Sequence, residues 1–275
     1  MQGLKPLPRG RVERARGLVS CAKSGSRIDA ERFAPPSDLS DGVECFWLGR
    51  WDLPADAPHT TELLGDPSIH IVFEGDRSRV VGVWTRRWIR TLEGTGFVRG
   101  AKLRPGAAGL FLRGHAADFT DRITPLSEAP FPSCESWIES IARTPSDTDA
   151  FERFGQVLRS ARQPMTPEIE LAIGAAERLR DPSIHSVERL AEDSGCTVRA
   201  LQRLFRKHVG APPKALLRRV RLQEAAARID RGEAENLARL AAELGYTDQA
   251  HFTRDFRTAV GRSPGQLRTA RATLA

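Results

Sequence analysis

Gly245–Phe256 reads GYTDQAHFTRDF, and fifty residues earlier Gly195–Phe205 reads GCTVRALQRLF. Each stretch opens on glycine, reaches threonine two residues later, and closes on a phenylalanine followed by a basic residue. Working outward, Leu190 matches Leu240 and Gly195 matches Gly245. Beyond the turn, Leu201 matches Phe252, Arg203 matches Arg254, Phe205 matches Phe256, Gly210 matches Gly261 and Pro213 matches Pro264. The offset grows from 50 to 51 through one extra residue in the second turn. The chain therefore carries an internal repeat whose unit is a helix, a glycine turn and a capped second helix. That unit is a helix-turn-helix, in which the first helix buttresses a second that is offered to the DNA major groove.

Helix signals continue through the whole carboxy-terminal third. One helix is expected over about 168–180, ending before Asp181-Pro182, and Ser186 caps the next, to Ser194. Thr197 is expected to cap Val198–His208. Pro213 suits the first position of a long helix to Arg231. Asn236 caps a short helix to Leu244, Thr247 is expected to cap a helix of about 248–258, and Pro264 opens the last one. In the first repeat Leu201, Leu204, Phe205 and His208 form an inward stripe, leaving Arg199, Gln202, Arg203 and Arg206 outside. In the second, Phe252, Phe256 and Val260 point inward while Gln249, Thr253, Arg254 and Arg257 point out. Arginine grips guanine O6 and N7 with two hydrogen bonds, and glutamine does the same for adenine N6 and N7, so such faces suit base reading. Either face alone equally describes a solvated helix; two in register behind capped turns favour DNA. The connecting helix, Pro213–Arg231, spans about 28 Å at 1.5 Å per residue, near the ~34 Å between successive major grooves. One monomer thus suffices to seat both reading helices. Arg218, Arg219 and Arg221 on that helix are expected either to touch phosphate or simply to solvate it.

Upstream the texture changes. Between Val43 and Leu112, ECFWLGRWDL, SIHIVFEG, RVVGVWT and GFVRGAKL are short aromatic or β-branched runs punctuated by Gly, Pro and Asp, which predicts a small all-β region. Segments 113–123, 134–143 and 147–162 have helical spacing and are expected to brace it. ARQPMTPEIE, with Pro164 and Pro167, is the linker candidate. The expected organisation is a basic flexible arm over 1–36, a β-rich sensor or dimerisation domain over 37–162, and a double helix-turn-helix domain over 163–275.

Charge follows this division. The formal net charge is +7; residues 1–32 and 168–275 each carry a net +5, so the span between is acidic. A basic balance at the two ends favours polyanionic partners. No apolar run approaches a membrane span, and the basic amino terminus lacks the apolar core of a secretory signal, so the expectation is a cytoplasmic protein with no membrane partner. Cys21, Cys45, Cys134 and Cys196 form no CxxC pair, which argues against a disulfide framework or a zinc site. His59, Glu62, His70 and His115 lie in or near the β-region, but without the paired spacing that would make a metal centre. GTGFVRG and GDRSRVVG lack the context of a phosphate loop, and no Ser-His-Asp or Cys-His arrangement can be assembled. The expectation is a protein that is not an enzyme, with no cofactor and no metal.

The stretch VERLAEDSGCTVRALQRLFRKHVGAPPKALLRRVRLQEAAARI, followed by NLARLAAELGYTDQAHFTRDFRTAVGRSPGQLR, resembles the double helix-turn-helix domain of the AraC/XylS family of bacterial transcription regulators. The resemblance covers roughly 170–270. It implies an α+β two-domain protein: a β-rich amino-terminal domain, cupin-like or a small barrel or sandwich, and an all-α carboxy-terminal domain whose two units are joined by a long helix. It places the family's base-reading positions on Arg199, Gln202 and Arg203, and on Gln249, Ala250, Thr253 and Arg254. Ala250 is small where some members carry a longer polar side chain. Thr197, Arg206, Lys207, Thr247 and Arg257 are the expected phosphate contacts. LLGDPSIHIVFEG, GFVRGAKLRPGAAGLFL and ADFTDRITPLSEA resemble the β-rich region preceding this domain in one subgroup. The expected partner is double-stranded promoter DNA, with a small-molecule effector and RNA polymerase as further candidates, and monomer and homodimer both open. The alternative is a small-molecule or metal-binding β-domain whose basic helices bind nucleic acid without sequence preference, or bind a protein.

Overall fold

A computed structural model describes residues 27–65, 67–131 and 135–272. The β-rich region takes the form of an open antiparallel sheet in the order β1 (Arg27–Phe33), β2 (Val43–Asp52), β7 (Thr95–Leu103), β4 (His70–Phe73), β5 (Arg79–Val81) and β8 (Ile123–Pro125). A separate two-stranded ribbon pairs β3 (His59–Leu64) with β6 (Arg87–Leu92). β1 lies inside the segment expected to be an arm: Arg27 to Phe33 pair with Asp52 to Phe46 along β2, so the arm's last residues are an edge strand. The rest of the expected arm, residues 1–26, lies outside the described residues.

Two helices cover the sheet, α1 (Glu135–Arg143) and α2 (Asp147–Ala161). The Ser146 side chain caps α2 by accepting from Asp149 N, and the inward face of α2 carries Phe151, Phe154, Val157 and Leu158, all fully buried. Phe151 packs on Phe33 and Phe46, with ring centroids 5.1 and 5.3 Å apart, and Phe154 meets Phe73 edge-on at 4.6 Å. Burying each such ring contributes about 1.5–3 kcal/mol. The helix expected over 113–123 does not form. Gly114 and Asp121 both have positive φ, 91° and 53°, and between them stands only a single 3-10 turn, Ala116–Phe119, before β8 begins.

The remaining helices are α3 (Pro167–Arg178), α4 (Val187–Asp193), α5 (Val198–Leu204), α6 (Pro213–Arg231), α7 (Leu237–Glu243), α8 (Gln249–Val260) and α9 (Pro264–Ala272). Gly195 and Gly245, at φ 66° and 76°, end α4 and α7 as the repeat implies. The α-helical part of the first reading helix stops at Leu204 and continues as a π-turn, Phe205–Val209. That wider turn brings Phe205, His208 and Val209 together against the turns at Ala108–Leu110 and Ala116–Phe119.

The linker candidate is taut. Gln163 N donates to Leu110 O at 2.8 Å, and one apolar core runs from Leu39 in the β-region through α2, α3 and α5 to Leu217 in α6. A second, smaller core joins Leu222, Ala225 and Ile229 of α6 to Leu240, Phe252, Phe256 and Val260. The first helix-turn-helix unit thus shares the core of the β-region, while the second has its own.

His208 sits within the shared core at 4% exposure, its Nε2 3.5 Å from Glu168 Oε2. Burial pushes the imidazole below its ordinary range; Glu168 pulls it up, while Lys207 and His115 add to the lowering. An unfolded imidazole near pKa ~6.5 therefore binds its proton more readily than the folded one. The stability this neutral histidine contributes is complete above that pH and declines as pH falls through it. The melting temperature is expected to drop between pH 7.5 and 5.5, with a shallower drop in His208→Asn. An identical slope in both proteins contradicts the assignment.

Candidate nucleic-acid interface

The two reading helices are built alike. Ser186 and Thr197 cap α4 and α5, accepting from Arg189 N and Ala200 N, and Asn236 caps α7. In the second unit the cap of α8 is Asp248, which accepts from His251 N at 2.6 Å, and not Thr247. The extra residue of the second turn explains the shift, since it makes Asp248 the counterpart of Thr197. Carboxylate and hydroxyl oxygens both satisfy the free N–H groups of a first turn, and the carboxylate adds charge complementary to the helix dipole. Thr197 still has its hydroxyl proton to donate.

Inward, Leu201, Phe205, Phe252 and Phe256 are fully buried. Outward, Arg199, Gln202, Arg203 and Arg206 on the first helix are exposed, as are Gln249, Arg254 and Arg257 on the second, with Thr253 half-buried. None of these eight side chains makes a hydrogen bond or ion pair with another described residue. Ala250 lies exposed at the start of α8.

Several other basic side chains near these helices are committed elsewhere. Lys207, an expected phosphate contact, is ion-paired with Glu168, which holds that carboxyl below its usual range. On α6, Arg218 Nε and Nη2 clasp Asp255 Oδ2 and Oδ1, each at 2.6 Å. Arg219 is buried and donates to the Trp84 and Arg86 carbonyls, and Arg221 donates to the carbonyl of His185. Each of these three arginines is therefore engaged within the chain, Arg219 buried and Arg218 with half its side chain still exposed.

Asp255 escaped the sequence reading. It lies on the inner side of α8 at 9% exposure and gathers Arg218, the Tyr246 hydroxyl at 3.4 Å and His251 Nε2 at 3.6 Å. Burial, with Asp255 next in weight, pushes the Tyr246 phenol up to about 12. The only sequence signal was an acidic residue set three after Phe252 and one before Phe256, within the apolar stripe. His70 lies part-buried on β4 and accepts from Trp47 Nε1 at 3.1 Å. Among the described residues no group of three or more His, Cys, Asp or Glu is placed to hold a metal ion, and no helix is long and apolar enough to cross a membrane.

Residues 190–270 match the model of a family described as a helix-turn-helix domain, and residues 31–125 match a domain of unknown function (DUF6597). An uncharacterized HTH-type transcriptional regulator of Haemophilus influenzae is 37% identical over 82 residues, 30% of this chain and 27% of that protein. The HTH-type transcriptional activator RhaS of Pectobacterium atrosepticum is 33% identical over 79 residues, 29% of this chain and 28% of that protein. The chain thus spans under a third of the length of these relatives. Among solved structures, ToxT of Vibrio cholerae aligns over 89% of this chain and 98% of its own at 9% identity and a TM-score of 0.38. That likeness is too distant to bear on the site.

Proposed function

We infer, for a chain that belongs to the AraC/XylS family of regulators through its double helix-turn-helix region, a sequence-specific DNA-binding regulator that reads two successive major grooves with α5 and α8. Arg199, Gln202 and Arg203 contact bases from the first helix, and Gln249, Thr253 and Arg254 from the second. Thr197, Arg206, Thr247 and Arg257 hold phosphate, with the helix amino termini adding to the grip. The observation that carries this reading is the contrast just described. The eight outward side chains named above are unpartnered, while Lys207, Arg218, Arg219 and Arg221 beside them are bound internally. Donors left free on the outward faces of both repeat-related helices are what a base-reading surface requires. Promoter DNA is the partner.

The β-region is the modulating part. An open hollow beside β2 and β7, walled by Arg50, Trp51, Glu74, Arg77 and Phe97, is the place we assign to a small-molecule effector. Trp51 in its wall belongs to a small cluster with Leu53, Val72, Leu92 and Val98, which is separate from the core shared with the first unit.

The test is a titration on selected operator and random duplexes at several salt concentrations. Operator is expected to bind at least about 10³-fold more tightly at physiological salt, with both affinities falling steeply as salt rises. A ratio near one sinks the reading and leaves nonspecific nucleic-acid or protein binding in its place.

A further inference from the structure

Five residues between β5 and the start of β6, Val83–Arg87, touch both helix-turn-helix units. At one end Val83 is fully buried and packs on Gly210, which ends the π-turn of the first reading helix at φ 105°. A β-carbon at Gly210 would lie 3.2 Å from Val83 Cγ2 and 3.1 Å from the Ala116 carbonyl oxygen. At the other end the Arg87 guanidinium lies so close to Gly261 that a β-carbon there would collide with it. Gly261, at φ 81°, ends the second reading helix. Gly210 and Gly261 are equivalent positions of the repeat, so one short segment meets the same point on both reading helices.

Between those ends the segment grips α6, the helix that joins the units. Arg219, 6% exposed, donates from Nη2 to Trp84 O at 3.1 Å and Arg86 O at 2.9 Å. One turn along, Gln223 Nε2 donates to Gly65 O at 3.1 Å, and Gly65 itself lies against the Trp84 carbonyl. The segment is also held from behind. Asp121 accepts from Thr85 N at 2.7 Å and from Thr85 Oγ1 at 2.6 Å, and donates its own N–H to Val83 O at 3.0 Å. It does so at φ 53°, the one positive φ outside glycine among the described residues. A backbone held in that region persists where the surroundings over-determine it.

We propose that Val83–Arg87 is a gauge that fixes the separation of the two reading helices, with Arg87, Arg219 and Gln223 as positioning residues that decide which spacing of the two bound DNA segments is accepted. The proposal rests on the reading of α5 and α8 as DNA readers. Four peptide steps span at most about 14 Å, so a braced segment of this length leaves little play between its ends. Each inserted base pair moves the second DNA segment ~3.4 Å along the axis and turns it about 35°. A fixed pair of helices cannot follow that displacement, whereas a loosened pair can.

The experiment uses the full chain and duplexes carrying the selected operator with zero, one or two base pairs inserted between its halves. Wild type is expected to lose about tenfold or more per insertion, the scale of a misread base pair. Arg219→Met and Arg87→Ala are expected to bind all three duplexes within a few-fold of one another. Arg87→Ala, at an exposed position, carries the test alone if Arg219→Met fails to fold. Variants that retain operator selectivity and the wild-type spacing profile overturn the gauge while leaving the DNA reading intact. A wild-type chain with no preference for operator overturns that reading, and the gauge with it.

Discussion

Phe256→Ala melts the second helix-turn-helix unit ahead of the rest of the chain. Phe256 is fully buried in the small core that α6, α7 and α8 share, stacked at an angle on Phe252 with centroids 5.6 Å apart. Truncating a buried phenylalanine costs about 3–5 kcal/mol, part lost transfer energy and part cavity. That is a large share of the stability of a core holding so few residues. The first unit is insulated, because its Phe205 belongs to the core that runs through the β-region. Hydrogen exchange is the measurement: protection is expected to collapse over α7 and α8 and to survive over α4 and α5. Operator affinity falls to that of a single reading helix. One cooperative melt, with protection lost equally in both units, contradicts two separate cores.

Arg203→Ala weakens operator binding by about 1–3 kcal/mol and relaxes preference at one base pair, the effect of losing a two-pronged contact to guanine. Its guanidinium is exposed and holds no other described side chain, so the substitution leaves nothing buried and unpaired, and the melting temperature stays put. Arg254→Ala, at the equivalent place on the second helix, relaxes a different base pair about one DNA turn away. Selection of binding sites from random duplexes by each variant separates the two. Uniform weakening across all sequences makes Arg203 a phosphate contact. The first helix offers Arg199, Arg203 and Arg206, whereas the second offers Arg254 and Arg257 beside Ala250, so the greater loss is expected from the first.

What the sequence made legible was local. Helix starts and stops followed from Ser186, Thr197, Asn236, Gly195 and Gly245, each acting on backbone groups within a few residues of itself. The one cap misplaced, Thr247 for Asp248, came from two adjacent residues that both suit the position. The inward and outward faces of α5 and α8 followed from helical periodicity. What stayed hidden depended on contacts between distant segments. Nothing near Lys207 announces Glu168, and nothing near Arg219 announces the Trp84 and Arg86 carbonyls. An acid in an apolar stripe, as at Asp255, reads as surface until Arg218 is seen to close on it. The segment 113–123 has helical spacing, but Gly114 and Asp121 take backbone conformations that spacing cannot reveal.

The unbroken core from Leu39 to Leu217 bears on how such a protein can be recombined. A cut at the proline-rich stretch near Gln163 would strip α3 and the π-turn of the apolar surface they rest on, so that stretch is no seam between interchangeable parts. The point where one core gives way to the other lies inside α6, between Leu217 and Leu222. In heritable terms the first reading helix travels with the β-region, while the second rests on a core of its own and meets that region at Arg87. Substitutions that retune the second helix meet fewer neighbours, and the reading surface is free to evolve one half at a time.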